Sequence, residues 1–268
     1  MEAFSLFFYP LAACILLILI HAYFGIHVLE RGIIFVDLSL AQFIGVGLAC
    51  SFFFSHDGLV KHVLSIAFAV LGAFTLSFSR RISKHTNIEA FIGVLYISSL
   101  AASILILDHS PHGLEEFKTI LNGNIIWVKG DDIAWTFILY AAIGIFHFIF
   151  RDRFFALTFE EKGGFFWEFL FFLSFAVVLV KSVQMAGILQ VFAFLIIPAL
   201  IGRLFTRKPL TVLIGGWLLG IISSSFGLFA SYAWDLPTSP LIVASLSLFY
   251  FLMLLVKAVT GKNEQHIR

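Results

Sequence analysis

The chain has 268 residues, of which 60% are hydrophobic and only 12% charged, with a mean hydropathy of +1.03 and a formal net charge of +1. Soluble domains carry about 25% charged residues, and a soluble body of this size could not hide so much apolar surface from water. Lipid is the solvent that fits, and no basic tract supports a nucleic-acid partner.

In chain order, nine apolar segments stand between short polar breaks: 6–24, 33–54, 60–78, 90–107, 133–150, 165–180, 188–205, 210–232 and 241–256. Most approach the ~20 residues that a helix needs to cross a hydrocarbon core of about 30 Å. Barrel strands are only about 10 residues long and alternate in polarity, which excludes a β-barrel. The expected fold is therefore all-α: a polytopic membrane protein of about nine helices, with eight as the alternative, in one bundle spanning 1–268. Met1-Glu2-Ala3 lacks the basic stretch of a signal peptide, so the first apolar run is expected to be a retained span. Cys14 and Cys50 lie inside apolar runs and read as small buried hydrophobes.

Orientation follows from the basic residues, which collect in cytoplasmic loops. With the N-terminus outside and the C-terminus in the cytoplasm, 13 of the 17 Lys and Arg residues fall in cytoplasmic breaks, leaving Lys61, Lys118, Lys129 and Lys181 outside. An external segment, 108–132, contains a candidate short helix at 114–121 followed by Asn122-Gly123-Asn124. A cytoplasmic segment, 151–164, contains Thr158-Phe159-Glu160-Glu161-Lys162 and then Gly163-Gly164. That order predicts a helix start, an acidic first turn and a glycine stop, in a position suited to a soluble partner.

An ionisable residue inside a span is expensive and is a functional candidate by default. Asp37 is the clearest, about five positions, or roughly 8 Å of helix, beyond the Arg31-Gly32 break. At helical spacing Glu30, Ile34, Asp37 and Ala41 form one stripe. The competing reading has Asp37 capping its helix or pairing with Arg31. Gln42 lies about 140° around from Asp37. Pro198, within the seventh apolar segment, removes a backbone bond and predicts a kink or a pathway-lining break.

Most of the nine histidines fall in the breaks, and His21 and His27, six apart, cannot face one ion together. No HExxH or CxxC spacing occurs. Ser223, Ser224 and Ser225 are consecutive and point in three directions, so no nucleophile constellation supports an enzyme. The phosphate-cradling GxxxxGK[ST] pattern is missing, which places any ATP hydrolysis on another subunit.

Five ordered blocks together resemble the permease subunits of metal ABC importers, which carry zinc, manganese or ferrous iron. They are Gly25-Ile26-His27-Val28-Leu29-Glu30-Arg31-Gly32-Ile33-Ile34-Phe35-Val36-Asp37, Glu89-Ala90-Phe91-Ile92-Gly93 and Leu121-Asn122-Gly123-Asn124-Ile125. The stretch from Lys181 to Arg203, with its Ile196-Ile197-Pro198-Ala199, and Asp235-Leu236-Pro237-Thr238-Ser239-Pro240 complete the set. The resemblance implies a permease homodimer in a bacterial inner membrane, a cytoplasmic ABC ATPase and an extracytoplasmic solute-binding protein. It implies a divalent metal ion as cargo rather than cofactor. Asp37 and Gln42 would lie on the translocation path, with Glu89 and Pro198 beside it. Phe159, Glu160, Glu161 and Gly163 would make the contact with the ATPase.

One position departs from the pattern. Where zinc and manganese importers of this kind place a histidine one turn after the aspartate, this chain has Ala41, with Gln42 beside it. Carboxylate and amide oxygens suit harder ions such as manganese better than zinc. The alternatives are an ABC permease for a metal chelate and a proton-coupled secondary transporter using Asp37 and Glu89.

Overall fold

The computed structural model describes residues 2–54, 58–82, 86–110, 112–160 and 162–265. It is helical throughout, with no strand among these residues. The long helices are α1 (Glu2–Glu30), α2 (Val36–Phe54), α3 (Gly58–Ser77), α5 (Ile88–Leu107), α7 (Gly130–Ile149), α9 (Phe165–Phe205), α10 (Pro209–Trp234) and α11 (Thr238–Gln265). Shorter pieces are α4 (Ser79–Ile82), α6 (Gly113–Asn122) and α8 (Arg151–Phe159), with a 3-10 turn at Ile125–Trp127. All eight long helices are long and apolar enough to cross a membrane. Helices α1, α2 and α9 form the interior, whereas α3, α5, α7 and α11 turn most of their side chains outward.

Helix α9 is a special case, because 41 residues at 1.5 Å each would reach about 61 Å, twice the membrane core. Its backbone leaves helical geometry at Gly187 (φ 75, ψ 166). The contacts with α1 show what happens there. On the first arm, Phe175 stacks on Phe24, Phe171 meets His27, and Glu168 pairs with Arg31. On the second, Gln190 meets Cys14, the Leu195 carbonyl abuts Gly25, and Arg203 pairs with Glu30. The first arm therefore runs antiparallel to α1 and the second parallel to it. A straight helix would hold residues 168 and 203 about 52 Å apart, yet they reach the adjacent residues Arg31 and Glu30. Helix α9 is a hairpin of two spans, and the chain makes nine passes among the described residues. The turn falls at the end of the expected break, 181–187: the helix continues through Lys181 and turns at Gly187.

The turn is held by backbone against backbone. Gly123 (φ 61) and Gly187 (φ 75) both have positive φ. A Cβ on Gly187 would stand 2.3 Å from the Gly123 nitrogen, and one on Gly123 would stand 2.2 Å from the Gly187 nitrogen. The Asn124 N–H donates to the Met185 carbonyl at 3.2 Å. Helix α6, which covers the predicted 114–121 helix, thus leads directly onto the tip of the hairpin. Nearby, Lys181 pairs with Asp132 at 3.0 Å.

At the opposite end of the bundle the Arg31–Glu168 pair (2.6 Å) is buried, with side chains 8% and 2% exposed. The guanidinium also stands 5.2 Å from the ring centroids of both Phe171 and Phe172, a cation–π arrangement. Taking away one side of a buried pair costs about 3–5 kcal/mol. Arg31→Ala should therefore lower the unfolding midpoint in detergent markedly. The double replacement Arg31→Met with Glu168→Leu should recover most of that loss, and the two thermal scans compared side by side check it.

Candidate functional site

Helix α2 begins at Val36 because Gly32 (φ 62) and the turns through Phe35 interrupt the backbone after α1. Asp37 consequently sits in the first turn of α2 rather than well inside the span. The expected stripe of Glu30, Ile34, Asp37 and Ala41 does not form, since Glu30 ends α1 and Ile34 lies in the connecting turn. The expected partner is also taken: Arg31 faces Glu168 and Glu30 faces Arg203.

Asp37 itself is fully buried, and neither carboxylate oxygen has a hydrogen-bond partner. Its place in the first turn puts the carboxylate at the positive end of the α2 dipole. Gln42 is buried on the same helix. Farther along, Gln42 Oε1 and Ser103 Oγ of α5 stand 3.6 and 3.7 Å from where a Cβ on Gly45 would be. Below them Ser39 Oγ donates to the Ile92 carbonyl at 2.7 Å. The seam between α2 and α5 thus carries a run of buried polar groups, an arrangement an ordinary apolar helix contact does not need. Among the described residues no three His, Cys, Asp or Glu side chains stand close enough to hold a metal ion together.

Glu89 does not join Asp37. Its Oε1 accepts a 2.6 Å hydrogen bond from the Ile34 N–H, so the start of α5 braces the turn that introduces α2. Pro198 is buried against α10: its carbonyl lies 2.6 Å from a Cβ on Gly216, and its ring 3.2 Å from one on Gly220. The backbone irregularity in α9 is at Gly187, and Pro198 serves close packing with α10.

Two cavities open at the Gly187 end. One, about 350 Å³, is lined by Asn122, Gly123 and Asn124 and by Leu236 to Pro240, so two of the sequence blocks meet across it. The other, about 330 Å³, lies over the end of α2 at Leu48 and Phe52 and carries Lys61, His112, Glu115 and Glu116. His112 approaches Glu115 to 3.8 Å there, and both side chains are exposed.

At the Glu30 end, the segment 151–164 folds differently from expectation. The helix is α8, Arg151–Phe159, so it ends where a start was predicted. Glu160 caps it, its N–H donating to the Ala156 carbonyl, and Gly164 precedes α9. The acidic and glycine residues thus end one helix and precede the next. Glu161 lies outside the described residues, while Phe159, Glu160 and Gly163 are exposed. Three buried groups take roles that the sequence does not assign them: Glu168, His147 and Thr158. His147 is an ionisable residue in a span, the signal that would have found it. The other two become visible only as long-range partners of α1.

The chain matches the family model described as the ABC 3 transport family over residues 3–257. It is 26% identical over 243 residues to a protein of Chlamydia muridarum described as a probable metal transport system membrane protein, covering 87% of this chain and 83% of the relative. It is 23% identical over 244 residues to the manganese transport system membrane protein MntC of Listeria monocytogenes, covering 88% and 85%. Among solved structures, the fold is similar to that of a chain in PsaBC from Streptococcus pneumoniae in complex with Fab. The TM-score is 0.75 at 22% identity, covering 91% of this chain and 89% of that one.

Proposed function

Because the chain belongs to the ABC 3 transport family, we propose that it is the membrane permease of an ABC importer for a divalent transition-metal ion. The ion is cargo, and the chain itself catalyses no reaction. The observation that carries this reading is Asp37: a carboxylate in the first turn of α2, buried in the bundle and without a hydrogen-bond partner. An isolated buried charge costs several kcal/mol, and attraction for a passing cation is a function that would retain it. Oxygen donors at Asp37 and Gln42, with Ala41 between helix turns instead of an imidazole, favour manganese or ferrous iron over zinc.

In this reading the Glu30 end, with α8 and the greater share of basic residues, faces the cytoplasm of a bacterial inner membrane, and the N-terminus lies outside. Exposed Phe159, Glu160 and Gly163 beside α8 meet the ATPase. The cavities at the Gly187 end receive the metal from a solute-binding protein, and two permease copies form the working unit. A proton-coupled carrier using Asp37 with Glu89 has less support, because Glu89 Oε1 braces the Ile34 N–H instead of meeting Asp37.

Affinity purification of the tagged chain from native membranes is expected to bring along an ATP-binding-cassette ATPase in stoichiometric amount. Proteoliposomes of that assembly, supplied with its solute-binding protein, should take up manganese only when ATP is hydrolysed. Uptake without ATP by the chain alone would replace this reading with a gradient-driven one.

A further inference from the structure

Helix α8 has two unlike faces. Phe154, Leu157 and Thr158 are buried, whereas Arg151, Asp152, Phe155 and Phe159 are exposed. The buried face does not meet a plain apolar surface. Thr158 Oγ1 shares a 2.7 Å hydrogen bond with His27 Nδ1 of α1. Four residues before it on α8, the ring of Phe154 stacks on His147 of α7, with centroids 4.1 Å apart and planes 10° from parallel. His147 in turn hydrogen-bonds the Tyr23 hydroxyl (3.0 Å) and Ser174 Oγ (2.8 Å). Rings seal the group: Tyr23 at 4.8 Å, Phe171 at 5.6 Å and Phe155 at 5.9 Å from His27. A short cytoplasmic helix could be anchored by apolar packing alone. Placing two buried imidazoles under it costs desolvation that a merely adhesive contact avoids.

The position of His27 says what the contact is for. It lies four positions before Arg31, about one helical turn, and the Arg31 N–H donates to its carbonyl at 3.1 Å. Phe171 touches both side chains, as a ring against His27 and as a cation–π partner of Arg31. Arg31 holds Glu168 at the foot of the α9 hairpin and directly precedes the Gly32 turn that leads to Asp37. Thr158, His27, Phe171 and Arg31 are therefore contiguous from α8 to the joint between α1 and α2. A hydrogen bond fixes direction as well as distance, so it transmits a shift of α8 along one line, where packed rings would slide.

We propose that His27 is a positioning residue for transport: through its hydrogen bond with Thr158 it ties the movement of α8 to the α1–α2 joint that carries Asp37. The inference rests on the reading that α8 receives the ATPase.

The test uses the whole permease–ATPase assembly in proteoliposomes supplied with its solute-binding protein, with manganese uptake and ATP hydrolysis measured on the same preparation. Thr158→Val removes the hydroxyl at nearly constant shape, Thr158→Ser keeps it, and His27→Phe removes the imidazole nitrogens while keeping a ring. Manganese taken up per ATP hydrolysed is expected to fall about fivefold in Thr158→Val and in His27→Phe, the factor that one hydrogen bond carries in an equilibrium. Thr158→Ser should retain the wild-type ratio, and the double variant Thr158→Val with His27→Phe should be no worse than either single one. An unchanged ratio in the single variants overturns the proposal. So does a proportional loss of uptake, hydrolysis and assembly yield, which would mark the contact as structural only. If the wild-type assembly shows no ATP-dependent uptake, the functional reading fails first and the proposal falls with it.

Discussion

Asp37→Asn should lose metal uptake and gain stability. The carboxylate is fully buried with neither oxygen hydrogen-bonded, so neutralising it removes a desolvation cost of several kcal/mol per buried ion. The first-turn position offsets part of that cost through the helix dipole, by about 0.3–1 kcal/mol, which leaves the net sign unchanged. The same neutralisation takes away the negative charge offered to a dication at the start of α2. Lost attraction of about 1.4 kcal/mol already means tenfold, and a divalent ion facing a neutral amide loses more. Uptake by cells expressing normal amounts of the variant is expected to drop at least tenfold, while the unfolding midpoint of the purified protein stays level or rises. Opposite signs in the two measurements distinguish a transport residue from a structural one. Full uptake in Asp37→Asn would remove Asp37 from the path.

Gly187→Ala is expected to be the most damaging of the small substitutions. Two independent penalties coincide there. A backbone at φ 75, ψ 166 lies in a region essentially reserved for glycine, worth about 1–3 kcal/mol to any other residue. The added methyl group would also stand 2.3, 2.4 and 2.5 Å from backbone atoms of Gly123, Asn122 and Leu121, and backbone cannot move aside as a flexible side chain can. The loop and the hairpin tip must separate, with loss of the Asn124–Met185 hydrogen bond. Little folded protein should be recovered from Gly187→Ala, and Gly123→Ala should behave alike. Gly93, by contrast, sits in α5 with nothing within 4 Å of a new Cβ. Gly93→Ala should therefore be neutral or stabilising by up to about 1 kcal/mol. Monodispersity on size exclusion, compared across the three variants, decides the matter.

These two residues also mark how far the sequence alone reaches. The spans were legible because each is an apolar run of near-membrane length, a signal that needs no partner. Two spans are expected inside α9 with a break over 181–187, and only the last residue of that break, Gly187, leaves helical geometry. A charge in an apolar run resembles a break, yet Lys181 is accommodated inside the helix by Asp132, and the turn falls at the glycine with positive φ. Asp37 stood out as an ionisable residue among apolar ones, but Ile33 to Val36 carry no local mark of the turn that delays α2. The short cytoplasmic helix is expected from Thr158 onward but lies before it, at α8, because arginine, aspartate and phenylalanine in close alternation give no clean helical stripe. The pairings of His27 with Thr158 and Arg31 with Glu168 span 131 and 137 residues. Nothing local in a single sequence announces contacts at such separation.

That separation has a consequence for how the protein is made. At about 5–20 residues per second, the ribosome needs on the order of ten seconds to reach Glu168 after placing Arg31 in the membrane. Throughout that interval α1, one of the most deeply enclosed helices of the finished bundle, has neither arm of α9 beside it. Its arginine must stay at the headgroup level, where a long cationic side chain can remain wetted. The insertion of α9 as a paired hairpin then delivers Glu168 and Arg203 almost together to Arg31 and Glu30. The centre of this permease is closed late, by a segment that arrives when α3, α5 and α7 are already in the bilayer and only α10 and α11 are still to come.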